Sequence, residues 1–316
     1  MWFKNVIIYK LHAAASIDVG KLETALYEQA FRPLGSSEAR RIGWTFPAGR
    51  EGAQHLHELQ GQRLMTAMRQ ERILPPSVVR DEVEERAANI ETQEGRKLRR
   101  QEKQAIKEQV YEELLPRAFV RTQRTDLWWD TQRQLLAVAT SSRKRAEEVL
   151  DLLRESLGSL KVTPLATQSL PIRAMTTWLT DPGTRPADMV MGDQVELKAK
   201  GDDGVVRGRQ VDLDSDDMQK LLESERQASK LALGIEGRIH FVLHEDLAIK
   251  AITFDDALID EANQADDGDD AIIRLETDFL LMAQALRDSI DRLVQWMGGE
   301  AQQYGASHKD DLLRTA

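Results

Sequence analysis

The chain has no cysteine. Disulfides, thiolate metal sites and a cysteine nucleophile are therefore excluded. No apolar run approaches the ~20 residues that a membrane helix needs, so no membrane partner is expected. In the opening segment, MWFKNVIIYKLHAAAS, the apolar stretch is confined to residues 6–9, with Lys10 and His12 close behind. That is too short for the apolar region of a signal peptide, and the segment reads as a strand of a cytoplasmic protein. The motifs of common chemistries are missing too. There is no phosphate-cradling G-x-x-x-x-G-K-S/T loop, dinucleotide fingerprint, His-Glu-x-x-His pair or G-x-S-x-G elbow. Nor is there a helix-turn-helix signature or a metal finger. Positive charge is short as well: 43 Lys and Arg face 53 Asp and Glu, a net charge of −10. Taken alone, that argues against nucleic acid, because phosphate binding needs a positive surface.

What is present is a 316-residue chain, 41% hydrophobic and 30% charged, long enough for a real core. Residues 2–11 read as a strand, and 17–32 as an amphipathic helix capped by Asp18 and stopped by Pro33. Residues 42–46 and 62–70 read as strands separated by a loop containing Gly and His. Pro75-Pro76-Ser77 marks a boundary, with Ser77 able to cap the helix that follows. Residues 78–115 are almost all helix formers, interrupted by Gly95 and ended by Pro116. Few of them are apolar, so this arm must meet water or a partner. Strands return over 118–140, with Asp130-Thr131-Gln132-Arg133 as a hairpin turn. A helix over 142–157 closes at Gly158, and 160–165 forms a short strand.

Beyond Pro171 come a short helix at 174–179, strands at 195–198, 205–211, 229–233, 238–243 and 249–254, and a helix at 215–223. Gly201-Asp202-Asp203-Gly204 reads as a turn. A long amphipathic helix spans 270–297. The expected fold is α+β, with mixed sheets and a protruding helical arm. Residues 1–75 and 117–170 make a discontinuous central domain, 76–116 the inserted arm, 171–300 a C-terminal domain and 301–316 a disordered tail.

The net charge hides a division. Between 96 and 107, Arg96, Lys97, Arg99, Arg100, Lys103 and Lys107 oppose only Glu102, a local charge of +5. On a helix, 96, 99, 100, 103 and 107 form one stripe, about 16 Å long at 1.5 Å per residue. Such a stripe could follow several phosphates of a duplex. Basic character continues through Arg117, Arg121, Arg124, Arg133 and Arg143-Lys144-Arg145, then Arg207, Arg209, Arg226, Lys230 and Arg238. Residues 251–270 instead hold eight carboxylates and no Lys or Arg. An acidic exterior with a basic working face fits a protein that holds DNA on one surface. With no base-reading motif, the contact would be to the backbone, without sequence preference. The plainer reading is that a charged helix face is simply a solvated one.

The carboxylates admit a rival, a divalent-metal-dependent nuclease using Asp255, Asp256 and the Asp266-Asp267-Gly268-Asp269-Asp270 cluster. That cluster lacks the spacing and terminal Glu of a calcium loop, and Asp269 or Asp270 suits a helix cap. His55 and His57 sit one residue apart in a loop, and His240 and His244 near a strand's end, neither pair with a companion Glu. No metal, cofactor or catalytic residue is expected. Phe119 lies where the arm rejoins a strand. It is either a core residue or an anchor in a subunit contact. A third possibility is an interaction scaffold whose basic helices grip acidic partners.

Several blocks resemble the RdgC family of recombination-associated proteins. They are Met1-Trp2-Phe3-Lys4-Asn5, Arg72-Ile73-Leu74-Pro75, Gly95-Arg96-Lys97-Leu98 and Leu114-Leu115-Pro116-Arg117-Ala118-Phe119. Leu152-Leu153-Arg154 with Ser156-Leu157-Gly158-Ser159-Leu160, Lys230-Leu231-Ala232-Leu233, and Asp278-Phe279 with Leu281-Met282 complete the set. The resemblance implies a ring of two identical subunits that encircles double-stranded DNA, and binds single strands as well, without sequence preference. It also implies a nucleoid-associated, non-enzymatic protein that restrains the RecA recombinase. By these blocks Arg96, Phe119 and Arg226 fall where the family meets DNA or its partner subunit. Arg207-Gly208-Arg209-Gln210 departs from the longer basic run expected there.

Overall fold

The computed structural model describes residues 2–12, 17–199, 201, 204–264 and 270–301. The chain opens with β1 (Ile7–Leu11) and α1 (Val19–Glu28), followed by β2 (Arg40–Thr45), β3 (Leu56–Leu59) and β4 (Gln62–Ile73). The arm is two helices, α2 (Pro76–Glu94) and α3 (Arg100–Leu114), and the chain returns along β5 (Phe119–Asp130) and β6 (Leu135–Val138). Then come α4 (Arg143–Leu157), β7 (Val162–Pro164), α5 (Pro171–Thr180), β8 (Met189–Lys198), β9 (Val205–Arg209) and α6 (Asp216–Glu223). The chain continues with β10 (Gln227–Ile235), β11 (Ile239–His244), β12 (Ile249–Phe254), α7 (Asp256–Gln264) and α8 (Ala271–Trp296).

These strands form two sheets, so the class is α+β as expected, but every paired strand is antiparallel where mixed sheets were expected. The first has the order β2-β4-β5-β6-β1-β7, and β3 lies end to end with β2 along the same edge of β4. The second has the order β12-β11-β10-β8-β9. Val6 and Ile249 exchange backbone hydrogen bonds of 2.8 and 3.0 Å, joining the sheets at one corner. Strand alternation puts Ile7, Tyr9, Leu127, Trp129, Leu136 and Val138 on one face of the first sheet, against Leu22 and Leu26 of α1 and Val149, Leu150 and Leu153 of α4. The opposite face, with Ile8, Leu64, Trp128 and Ala137, shares a core with Leu231, Leu233 and Phe241 of β10 and β11 and with Phe279, Leu286 and Ile290 of α8.

Local chemistry explains most boundaries. The Asp18 carboxylate accepts from the amides of Gly20 (2.9 Å) and Lys21 (3.2 Å), opening α1. That helix ends at Glu28, short of the expected 32. The Gln29 carbonyl takes the Trp44 amide, and the Phe31 amide bonds the Trp44 carbonyl, drawing residues 29–31 onto β2. The close approach needs Gly43, where a Cβ would lie 2.6 Å from the Phe31 Cα. Gln60 and Gly61, with φ of 53° and 79°, make the tight turn between β3 and β4. β3 occupies what was expected to be loop, so His57 is a strand residue. Residues 2–5 are not strand: Trp2 packs on Phe254, with ring centroids 4.7 Å apart, and Phe3 is buried in the shared core. Pro75, not Ser77, takes the N-cap of α2, which begins at Pro76. Helix α7 was not foreseen. The tail expected at 301–316 lies, from 302 onward, outside the described residues, as do Asp202 and Asp203 of the expected turn.

The turn after β5 holds the long C-terminal helix. Asp130 is fully buried. One carboxylate oxygen accepts from the Gln132 and Arg133 amides (2.9 and 3.0 Å), and the other accepts from Arg287 Nε at 2.6 Å. Breaking a buried ion pair leaves a charge without its partner, at a cost of about 3–5 kcal/mol. Asp130→Ala is therefore expected to lower the unfolding free energy by about that amount in urea titrations. A loss under about 1 kcal/mol would show that this pair does not hold α8 in place.

Candidate nucleic-acid interface

The arm is a helical hairpin. Gly95 ends α2 in the left-handed region (φ 67°), and residues 96–99 form the connection. This corrects the expected stripe, because α3 begins only at Arg100. Arg96, Lys97 and Arg99 lie in the turn, and only Arg100, Lys103 and Lys107 share a helix. Much of the tip's charge is neutralised internally. Arg96 pairs with Glu102 (2.6 Å) and Glu94 (2.7 Å), and Glu91 takes Lys97 (2.8 Å) and Lys103 (3.3 Å). Hydrogen bonds from Lys97 and Arg96 hold the Glu91 and Glu102 carboxyls down at about 2. Arg86 ties the two helices through Glu113 at 2.8 Å. Arg100, Lys107 and Arg117 are exposed and bonded to no carboxylate among the described residues.

At the arm's root, Ile73 and Phe119 are the last cross-strand pair of β4 and β5. Phe119 is 86% exposed, which rules out the core reading within this protomer. Ile73 is exposed on the same strand face, and Val78 and Tyr111 are exposed toward the adjoining ends of α2 and α3, while Val120 is exposed on the opposite face. Neighbouring exposed apolar residues mark an interaction surface more often than an isolated one does. Arg121 points to the same face as Phe119 and pairs with Glu71, which also takes Arg69 at 2.5 Å.

The second sheet carries a larger basic surface. Its apolar side chains and helices α5, α6 and α8 lie on one face. The other face presents Gln194, Glu196 and Lys198 of β8, Arg207 and Arg209 of β9, Lys230 of β10, His240, Val242 and His244 of β11, and Lys250 of β12. Five cations thus share one sheet face. Gly192, Ala232 and Gly234 keep its middle low. The His240 ring lies over Gly234, where a Cβ would come within 2.5 Å of its Nδ1. At the centre Glu196 is buried and accepts from Lys230 Nζ and Arg207 Nε, each at 2.8 Å, and from Ser229 Oγ at 2.9 Å. Its carboxyl lies at about 2; burial opposes ionisation, and the Lys230 and Arg207 bonds outweigh it. Lys198 pairs with Glu245, and Arg143 of α4 reaches Asp246 in the neighbouring turn at 2.9 Å. Arg226 bonds the Gly204 carbonyl at 3.2 Å, steadying the start of β9.

Of the residues singled out from sequence, Arg207 and Arg209 are thus brought together, while Arg96, Lys97, Arg99, Arg100 and Lys103 form a separate group on the arm. Arg117 and Arg121 lie at its root, and Arg226 beside β9. Lys198 and Lys250 were missed, and Lys230 was noted only as basic. The signal available was alternation: each occupies the polar phase of a strand whose other phase is apolar.

The carboxylates proposed for a nuclease serve local structure where they are described. Asp255 accepts from the Ala257 amide (3.0 Å), opening α7, and Asp270 accepts from the Ile272 amide (2.8 Å), opening α8. Asp256 lies in the first turn of α7. Asp266, Asp267 and Asp269 fall outside the described residues. Among the described residues no three His, Asp or Glu gather as metal ligands, and no helix is long and apolar enough to cross a membrane. His55 and His57 are clasped by Glu23 (3.2 Å) and Glu276 (3.0 Å).

His244 lies among the cations of the second sheet. Burial, then the charges of Lys250 and Lys230, push its pKa down to about 4 from an ordinary 6.5. A lowered histidine pKa means the unfolded chain binds more protons between those values, so stability falls as pH drops from about 6.5 toward 4. His244→Asn is expected to reduce this loss relative to the parent protein, in denaturant titrations at pH 7 and pH 5. Equal losses in both proteins would show that His244 is protonated as easily folded as unfolded.

Residues 1–300 match the family model described as "Putative exonuclease, RdgC". The chain is 40% identical over 301 residues to the recombination-associated protein RdgC of Pasteurella multocida, covering 95% of this chain and 98% of that one. It is 37% identical to its namesake from Psychromonas ingrahamii (95% and 99% covered) and 38% to that of Yersinia pestis (96% and 99%). These names state a role in recombination and no enzymatic activity, whereas the model's description names a nuclease. With matches that run the length of the chain, the protein belongs to the RdgC family of recombination-associated proteins.

Proposed function

We propose that this protein is a non-enzymatic, ring-forming homodimer that binds double-stranded DNA without sequence preference and limits RecA-dependent recombination. The observation that carries the reading is the uncovered face of the second sheet. Five cations from β8, β9, β10 and β12 stand on that one face. Fixed cations at strand spacing suit a regular array of phosphates. The exposed cations of the arm, Arg99, Arg100 and Lys107, add a second contact, and Arg117 and Arg121 a third at its root. In this reading residues 76–116 act as a unit that meets the partner subunit, with Phe119 as the anchor. Two subunits joined through their arms would enclose duplex between basic surfaces. Occupied duplex would then be withheld from the recombinase. The carboxylates of α7, which packs on α8, would face away from the DNA, and a cytoplasmic, nucleoid-associated location is part of the same reading.

The nuclease reading has the family model's description in its favour. It requires Asp255 and the 266–270 carboxylates to hold divalent metal, yet Asp255 and Asp270 are committed to helix starts.

Duplex binding is expected to weaken with salt, with a log–log slope of about −0.9 per phosphate neutralised. The paired changes Arg207→Gln and Arg209→Gln should reduce that slope by about two and weaken binding equally across sequences. Charge reversal at Arg96, Arg99 and Arg100 should also weaken all sequences alike. A salt-independent affinity would remove the reading, and magnesium- or manganese-dependent cleavage in the same reactions would favour the nuclease. Phe119→Ser should raise the dimer dissociation constant roughly 30-fold, as loss of a buried aromatic anchor does. An unchanged sedimentation profile would take Phe119 out of the interface.

A further inference from the structure

The second sheet presents an oddity for a phosphate-binding face: a carboxylate at its centre. Glu196 is only 5% exposed, and it faces the same side as Arg207, Lys230 and Arg209. Its Oε2 takes both Lys230 Nζ and Arg207 Nε at 2.8 Å, and its Oε1 takes Ser229 Oγ at 2.9 Å. The irregular pairing between Ala228 and Lys230 is what turns Ser229 toward it. With Gln194, Arg209 and Val242, the same three charged residues line a depression of about 100 Å³. Two cations converging on one anionic oxygen, with a hydroxyl on its neighbour, is the donor set that a phosphodiester's two free oxygens would use.

We propose that Glu196 is an internal stand-in for a DNA phosphate, occupying the Arg207–Lys230 site in the free protein and keeping duplex affinity low. This rests on the DNA-binding reading above and deepens it. Three consequences follow from the geometry. The cations are held in place before DNA arrives, so little side-chain freedom is lost on binding. An incoming phosphate must share them with a carboxylate already bonded to both. As a phosphate departs, Glu196 takes the cations back, so each step along the duplex exchanges one anion for another instead of baring two charges. A clamp of this kind holds DNA by enclosure while its contacts stay weak. Glu196 is thus a positioning residue that sets affinity. It is unlike the tip carboxylates Glu91, Glu94 and Glu102, whose cations lie on the exposed hairpin turn and the first turn of α3.

The test is duplex binding by full-length protein across sodium chloride concentrations, with random-sequence linear DNA as the probe. Glu196→Gln keeps the size and a hydrogen-bonding oxygen but frees two cations. It should bind roughly tenfold more tightly, with the salt slope steeper by about one. Glu196→Asp keeps the charge but is one methylene shorter, so it reaches only one of the two cations. It should bind severalfold tighter at an unchanged slope. Unfolding midpoints should fall in both variants, because the buried bonds are weakened. A merely structural carboxylate would lower DNA affinity along with stability, whereas the stand-in raises it. Parent-like or weaker binding by folded Glu196→Gln overturns the inference. Should that variant not fold, parent-like or weaker binding by Glu196→Asp does the same. A parent protein without salt-sensitive binding overturns the DNA reading and this inference together.

Discussion

The ladder between β4 and β5 runs unbroken from Gln62 opposite Asp130 to Ile73 opposite Phe119, and nearly everything else hangs from it. Its inner half lies in the core. Trp128 and Trp129 are buried on opposite faces, so a slip of one residue would exchange them and ruin both cores at once. The Trp128 indole donates to Gln62 across the ladder at 2.7 Å, fixing the register from within. The outer half leaves the core, with polar side chains along most of it and Ile73, Phe119 and Val120 exposed at its end. The arm is carried at that end, on two paired strands. Its position relative to the core is therefore set by β-sheet geometry, not by a flexible linker. That rigidity is what an arm needs if it is to present Phe119 to a partner at a fixed distance.

Electrostatics follow the same division between covered and uncovered surface. A net charge of −10 would repel DNA if it were spread evenly. The arm and the second sheet handle their cations differently. At the arm's tip, three carboxylates take up much of the charge that the sequence makes conspicuous. On the second sheet, cations that are scattered over fifty residues of sequence come together on one face. Among the described residues, Glu196 and Glu245 pair with them there. The local field is then governed by strand pairing, and runs of like charge along the chain are a poor guide to it.

Much of the fold was legible in the residues. Helix caps at Asp18 and Asp270, the turn at Asp130–Arg133 and the break at Gly95 all follow from local rules of hydrogen bonding and backbone freedom. The departures have physical causes as well. The α1 helix stops early because backbone at 29–31 is drawn onto β2 beside Gly43. Residues 2–5 leave strand geometry because Trp2 and Phe3 are used to fill the shared core. The β3 strand escaped notice because four residues give too short a period to recognise.

The candidate site was legible only in part, and the reason is general. A helical stripe can be written down from one stretch of sequence, because residues three and four apart must be neighbours if the helix forms. Here the helix did not extend over 96–99, and the acids that neutralise the tip come from both α2 and α3. A sheet face cannot be written down in that way. Composition and local pattern by themselves determined the class of fold, the arm, the blocks that identify the family and the absence of thiol chemistry. Only the tertiary structure decided which cations share a surface, that Phe119 stands outside the core, and that a buried Glu196 sits between Arg207 and Lys230. Those facts depend on which strands pair, and strand order is fixed by burying two faces of one sheet and one face of another, not by any property of neighbouring residues.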